Sequence, residues 1–178
     1  MKHVTMKRFK LPAIIILLTL SVMSCFKVEK LPPEPYISFK SFQVFDSTDI
    51  LGNKVKGGRL NFSFEDGDGD LGLTAPNAKT RQDSTNLFFI LYRKIRGVYK
   101  LALANDPLKP SSYRIPFIDR QGQNKILRGN ISVTFLYLFS EPSDTIMYKF
   151  YVKDRAMHPS DTVSTCEIVF TKNGACNN

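Results

Sequence analysis

The stretch Arg59-Leu60-Asn61-Phe62-Ser63-Phe64-Glu65 indicates the fold class of this chain. Its apolar side chains, Leu60, Phe62 and Phe64, alternate with polar ones, so in an extended conformation they all point to one face. A strand with one apolar and one polar face is typical of an antiparallel sheet that covers a core on one side only. We therefore predict an all-β, antiparallel domain.

The same period of two recurs along the chain. It is present in residues 131–139 and 146–152, whereas residues 87–96 are apolar on both faces, as expected for a central strand. In residues 36–45 the phase slips by one position, which predicts a β-bulge near Lys40-Ser41.

The turn signals complete the strand set. Arg96-Gly97 predicts a hairpin turn into residues 98–103, residues 113–118 predict a short edge strand interrupted by a proline, and residues 162–171 predict the last strand. These patterns predict about eight strands and no helix, as in an immunoglobulin-like antiparallel β-sandwich over residues 36–178. A small closed barrel is the alternative.

The first 24 residues predict a secretory signal peptide. Residues 1–10 carry four basic residues and no acid, and an apolar run over residues 11–23 follows, short of the ~20 residues that span a bilayer. The run ends in Val22-Met23-Ser24-Cys25, which resembles a bacterial lipobox. By that resemblance residues 1–24 are cleaved and Cys25 becomes lipidated with diacylglycerol and an acyl chain such as palmitate, which anchors the protein in a membrane. The alternative is an ordinary secreted protein.

The segment between the anchor and the domain, residues 25–35, is charged and rich in proline, which favours an extended tether. Cleavage of the leader also changes the charge. The full chain has 25 Lys+Arg against 16 Asp+Glu, a net charge of +9, and loss of the four leader bases leaves 21 against 16, or +5. Because the chain is exported and has no nucleic-acid motif, we expect its anionic neighbours to be membrane or surface polymers and not nucleic acid.

The most distinctive motif is the run of three aspartates separated by single glycines, Asp66, Asp68 and Asp70. Glycines let the backbone curl tightly while the carboxylates converge, an arrangement that suits Ca²⁺. Leu71 and Asn77 stand where an EF-hand has its essential Gly and bidentate Glu, so an EF-hand is not expected. We predict a Ca²⁺ site here, with a solvated acidic turn as the alternative.

A second polar loop, residues 153–161, could supply Asp154 or Asp161 to this site if the two loops lie at the same end of the domain. The alternative is a turn in which Asp154 and Ser160 bond local backbone groups. Catalysis by His158, Ser160 and Asp161 is not expected, because residues so close in one loop cannot adopt the geometry of a triad. No other catalytic set is visible, so we expect no enzyme.

The other cysteines are Cys166 and Cys176. In an oxidising envelope they could form a disulfide that joins the C-terminal tail to the last strand; a buried thiol with a frayed tail is the alternative. The chain has no Trp, which weakens a lectin-like reading, although Tyr92, Tyr99 and Tyr113 could substitute.

These motifs together resemble those of small Bacteroidetes-type envelope lipoproteins with an immunoglobulin- or cadherin-like domain. The resemblance rests on the lipobox ending at Cys25, on residues 64–72, and on residues 148–156 followed by Ser160 and Thr162. It implies a lipid-anchored protein of the cell envelope, which we expect in the outer membrane on either its periplasmic or its surface side.

We accordingly expect a non-enzymatic binding, adhesion or accessory module whose partner is an envelope protein or a surface polymer. The alternative is a small-ligand or glycan-binding lipoprotein, built as a lipocalin-like barrel or a lectin-like sandwich.

Overall fold

A computed structural model describes residues 30–75, 85–119, 125–141 and 143–177. The leader, the lipobox with Cys25, residues 26–29 of the tether and Asn77 lie outside the described residues. In the described part the chain is all-β and has no helix, and none of its elements is a helix able to cross a membrane.

The strands follow the predicted alternation and pair antiparallel. Their bounds are β1 (Tyr36–Thr48), β2 (Lys54–Asp66), β3 (Leu87–Ile95), β4 (Val98–Leu101), β5 (Leu127–Tyr137), β6 (Thr145–Val152), β7 (Val163–Ser164), β8 (Ile168–Val169) and β9 (Gly174–Asn177). One sheet, here called sheet I, has four strands in the order β5-β2-β1-β9. The other, sheet II, has five strands, with the order β4-β3-β6-β7 and β8 paired to β6.

The buried faces of the two sheets meet in an aromatic core. Phe42 of β1 lies with its ring centroid 6.0 Å from that of Tyr148 in β6, and Phe62 of β2 lies 5.2 Å from Phe150 of β6. The hydroxyl of Tyr148 donates to the carbonyl of Leu108 over 2.6 Å and lies 3.0 Å from the hydroxyl of Tyr137, so these buried polar atoms are satisfied. Since no strand pairing joins the two sheets among the described residues, the closed barrel does not describe this fold.

Two local predictions are confirmed. The register between β1 and β2 shifts between Phe39 and Ser41, which is the bulge expected near Lys40. Arg96 and Gly97 adopt φ values of 52° and 81° between β3 and β4, as a tight hairpin turn requires.

The predicted edge strand at residues 113–118 is wrong. Tyr113 and Pro116 form only isolated bridges, to Leu87 and Leu73. The intervening backbone N–H of Ile115 donates to the side chain of Asn86 over 2.7 Å, and a proline has no N–H, so no continuous ladder forms.

The single last strand over residues 162–171 is also wrong, because it is broken into β7 and β8. Thr165 lies between them, and its hydroxyl accepts the backbone N–H of Tyr148 over 3.0 Å in place of a backbone carbonyl. The strand expected over residues 131–139 is displaced as well: β5 begins at Leu127 and ends at Tyr137, and Phe139 is exposed.

Leu31–Asn178 forms one compact unit, which holds all the strands of the described residues. This unit includes residues 31–35, here called the entry segment, in which Pro35 is buried. The entry segment therefore packs with the strands and brings the chain to the loop that follows β2.

Candidate cation site

The acidic loop begins with a buried carboxylate at the end of β2. Asp66 continues the inward-facing series of Leu60, Phe62 and Phe64, and its side chain is 0% exposed. Its two oxygens accept the backbone N–H groups of Gly69 over 3.1 Å and of Leu71 over 2.5 Å. Asp66 therefore closes the loop on itself, as an Asx turn does.

The far end of the loop is held by apolar anchoring. Leu71 is fully buried and Leu73 nearly so, and the N–H of Leu73 donates to the carbonyl of Ile115 over 2.9 Å. Gly72 has a φ of 100°, and a Cβ there would lie 2.5 Å from the carbonyl oxygen of Pro116, so only glycine fits. The three aspartates are thus presented by a backbone fixed at both ends.

The loop brings the three predicted carboxylates together. One oxygen each from Asp66, Asp68 and Asp70 lie within 4.8 Å of one another. Two ligands on opposite sides of one Ca²⁺ at 2.3–2.6 Å each are separated by about 5 Å, so this spacing suits a single ion. Oδ1 of Asp70 is buried and accepts no hydrogen bond from the described residues.

The second loop lies at the same end of the domain, which the sequence could not decide. The N–H of Arg155 donates to the carbonyl of Asp70 over 3.4 Å, and its guanidinium donates to the carbonyl of Gly72 over 2.9 Å. Asp154 is 1% exposed and adjoins the cluster, although it is not one of the three residues whose oxygens converge.

Asp154 is committed to its own turn. Its carboxylate accepts the backbone N–H of His158 over 2.8 Å and lies 2.9 Å from Nδ1 of that ring. This hydrogen bond is the main reason that the pKa of His158 is raised. The hydroxyl of Ser160 accepts the N–H of Val152 over 3.0 Å and donates to the carbonyl of Asp161 over 2.7 Å. His158 and Ser160 therefore serve the local turn.

The electrostatics follow from burial and crowding. Burial raises the pKa of Asp66 to about 6, against the opposing hydrogen bond from the N–H of Leu71. Burial also raises the pKa of Asp70, and the negative charges of Asp154 and Asp68 raise it further. A cation among these carboxylates would remove both effects by favouring the charged forms.

The entry segment is the part of the site that sequence reasoning missed. A Cβ on Gly67 would lie 2.2 Å from the carbonyl oxygen of Pro32 and 2.6 Å from that of Leu31. Two backbone carbonyls thus lie against the acidic loop, and carbonyl oxygens are also ligands for Ca²⁺. The only sequence signal was Gly67 itself, since glycine permits close approach of another backbone.

The remaining predicted residues lie elsewhere. Cys166 and Cys176 form a disulfide with their Cα atoms 6.2 Å apart. Tyr92 and Tyr99 lie on the outer face of sheet II, whereas Tyr113 packs against the core through the ring of Phe89, 6.0 Å away.

Two surface depressions are candidate sites for the small-ligand alternative. One, of about 460 Å³, lies between the β1–β2 end and the chain after β5 and is lined by Thr48, Lys54 and Phe170 among others. The other, of about 490 Å³, lies beside Phe88 and Tyr151 on sheet II.

Comparison with protein-family models, with curated proteins and with solved structures gives no match to this chain.

Proposed function

We propose that this protein is a lipid-anchored module of the cell envelope that binds an envelope protein or a surface polymer and performs no catalysis. The observation that carries the proposal is the leader: a basic segment, an apolar run and Val22-Met23-Ser24-Cys25 at its end. Lipidation of Cys25 would attach the mature chain to a membrane, for which we propose the outer membrane.

The fold proposed for this module is the immunoglobulin-like sandwich. The orders β5-β2-β1 in sheet I and β4-β3-β6-β7 in sheet II correspond to the E-B-A and C′-C-F-G orders of that fold. The aromatic contacts between β1, β2 and β6 support face-to-face packing of the two sheets.

Metabolic labelling with palmitate tests the anchor. The wild type should incorporate label and sediment with the outer membrane, and Cys25→Ser should do neither. The double variant Cys166→Ser/Cys176→Ser is the matched control and should label normally, because its cysteines lie in the folded domain. An unlabelled wild type, or label that persists in Cys25→Ser, contradicts the proposal.

We further propose that Asp66, Asp68 and Asp70 bind Ca²⁺ and that the ion stabilises the loop. The supporting geometry is the convergence of three carboxylate oxygens and the buried Oδ1 of Asp70. Asp154 would add negative charge beside the ion and fix the neighbouring turn. The role of Ca²⁺ is structural, since no substrate group is needed to explain the arrangement.

Thermal unfolding in Ca²⁺ and in chelator tests the metal proposal. An ion held at 100 times its Kd stabilises the fold by about 2.7 kcal/mol, which raises the Tm by several degrees. Asp68→Ala should abolish the shift. Asp49→Ala is the matched control, because Asp49 closes an exposed turn after β1 by accepting the N–H groups of Leu51 and Asn53. Absence of a shift in the wild type at millimolar Ca²⁺ contradicts the proposal.

A second candidate function, glycan binding by a lectin-like sandwich, is favoured by one observation. Sheet II carries half-buried aromatic rings and lysines together on its outer face. The lipocalin-like version of this candidate has no comparable support, because the space between the sheets is filled by aromatic side chains.

A further inference from the structure

The outer faces of the two sheets differ in chemistry. On sheet I the outward-facing residues of β1, β2 and β5 are mostly small and polar. Those that lie beside one another on neighbouring strands include Ser38, Gln43, Asn61, Ser63, Ser132 and Thr134. Such a face is what a soluble sheet needs toward water. The aromatic side chains on the outer face of sheet II are not explained by contact with water alone.

The outer face of sheet II interleaves aromatic rings with ammonium groups. We call this surface the aromatic–lysine face; its aromatic and basic members are Phe88, Tyr92, Lys94, Tyr99, Lys149, Tyr151 and Lys153. The register places Ile90, Met147 and Leu101 on the same face. The register places Phe88 beside Tyr151, and their rings stack at 5.1 Å. The ammonium of Lys149 lies 5.3 Å from the ring centre of Tyr92, and that of Lys153 lies 5.8 Å from Phe88.

The charge of this face is positive and largely unpaired. None of the residues that β3, β4 and β6 direct to this face is acidic. Glu167 reaches it from the chain between β7 and β8, where it pairs with Lys94 over 2.5 Å and accepts from the hydroxyl of Tyr99 over 2.7 Å. Within the described ranges, Lys149 and Lys153 form no ion pair. The face is thus complementary to an anion.

A groove borders the face near its stacked rings. The depression of about 490 Å³ is lined by Phe88, Ile90 and Tyr151 of the sheet and by Lys109, Ser111 and Ser112 of the chain after β4. Its volume falls in the range of small-ligand sites, about 300–1,000 Å³. The serine hydroxyls and a further ammonium are hydrogen-bond partners for a polar ligand that rests on the rings.

We propose that the aromatic–lysine face binds an acidic polysaccharide, whose sugar rings contact the aromatic side chains while its carboxylate or sulfate groups pair with Lys149 and Lys153. From Phe88 to Lys94 the strand extends six residues, about 20 Å at 3.3 Å per residue, which is long enough for several sugar units. A chain that repeats a ring and a negative group matches the alternation of rings and lysines along that length. This inference deepens the proposed envelope function by naming the binding surface and the class of partner. It rests on that function, because the protein must be located in the envelope to encounter the polymer.

Binding to defined polymers tests the proposal on the full chain purified in detergent. Titration calorimetry should show binding to polygalacturonate and to chondroitin sulfate, and none to the neutral polymer dextran. Polyglutamate supplies the same charge without sugar rings and should bind at least tenfold more weakly. Affinity should fall as salt rises, because exposed charge pairs are screened.

Charge-matched variants locate the site. Lys149→Gln/Lys153→Gln should bind polygalacturonate on the order of tenfold more weakly, since two ion pairs with the polymer are lost at the surface. Lys40→Gln/Arg59→Gln removes the same charge from sheet I and should bind like the wild type. Tyr92→Ser should weaken binding with no change of charge, while Tyr36→Ser, an exposed tyrosine of β1, should not.

Several outcomes would overturn the proposal. These are absence of binding to both acidic polysaccharides, equal binding to polyglutamate, or an equal loss in the two double variants. Binding only to phosphatidylglycerol vesicles would assign the face to a membrane instead. Circular dichroism of each variant checks the fold, and the polymer comparison on the wild type stands without any variant. Palmitate labelling of Cys25 reports the anchor separately, so failure of the anchor and failure of this surface are distinguishable.

Discussion

Replacing the buried carboxylate of Asp66 by an amide should change how stability depends on pH when no cation is present. The pKa of Asp66 is raised from 3.8 to about 6 in the folded chain, so the folded state holds this proton more tightly than the unfolded state. The contribution of protonated Asp66 to the free energy of unfolding is therefore greatest below pH 4 and is lost as the pH rises through 6. At about 1.4 kcal/mol per tenfold change in proton affinity, ionisation of Asp66 destabilises the fold by about 3 kcal/mol at pH 7.

Asp66→Asn cannot ionise, but its amide nitrogen cannot accept a hydrogen bond from a backbone N–H. The variant therefore loses one of the two bonds from Gly69 and Leu71, at a cost of about 1–3 kcal/mol that does not depend on pH. The diagnostic quantity is thus the difference in unfolding free energy between wild type and variant, followed against pH. It should decrease by about 2 kcal/mol between pH 4.5 and pH 7.5.

Urea unfolding in chelator, followed by circular dichroism at four pH values, measures this difference. Any pH dependence of His158 is common to both proteins and cancels in the difference. Asp49→Asn is the control, because hydrogen bonds from Asn53 lower the pKa of Asp49 and its contribution is lost only in more acidic solution. A difference that stays constant from pH 4.5 to pH 7.5 would refute the assignment of a destabilising charge to Asp66. Saturating Ca²⁺ should then raise the stability of the wild type at pH 7.5 and leave the variant little changed.

Three further changes test other parts of this end of the domain and the disulfide. Gly67→Ala would place a Cβ 2.2 Å from a carbonyl of the entry segment and should lower stability by about 1–3 kcal/mol in urea unfolding, whereas Gly174→Ala, which meets nothing within 4 Å, should not. Cys166→Ser opens a loop of 10 residues and should cost about 3 kcal/mol by the same measurement, with no further loss on adding reductant. His158→Gln should lower the Tm at pH 5 but not at pH 8, because the hydrogen bond to Asp154 raises the pKa of His158 and its contribution is lost as the pH rises; equal losses at both pH values would contradict this.

The alternation of apolar residues was enough to predict the long strands but not their full extent. The sequence pattern of β2 was recognised over residues 59–65, yet the strand begins at Lys54. The missed part contains Gly57 and Gly58, whose positions are covered by the rings of Phe45 and Phe42 from β1. A glycine that is buried under a neighbour's ring has no side chain of its own, so the period of two cannot be seen there.

The candidate site was predictable to the extent that its ligands are close in sequence. Asp66, Asp68 and Asp70 converge because one loop carries them, and the glycine spacing shows this directly. The position of Asp154 depends instead on which ends of β2 and β6 coincide, and that is a property of the strand order and not of the local sequence. The carbonyls of the entry segment carry no side-chain signal at all.

The acidic loop and the disulfide both connect sheet I to sheet II by something other than apolar packing. Asp66 ends β2 in sheet I, while the loop of Asp154 follows β6 in sheet II and is bonded to the carbonyls of Asp70 and Gly72. Cys176 lies in β9, beside β1, and Cys166 lies in the chain between β7 and β8 of sheet II. The difference between the two links is that the disulfide is neutral, whereas the loops place several carboxylates at one end where the sheets meet. Crowded like charges oppose closure of that end, so a bound cation would convert a repulsive contact into a stabilising one. The stability of the domain should therefore depend on Ca²⁺ at the acidic loop and on the redox state of the disulfide.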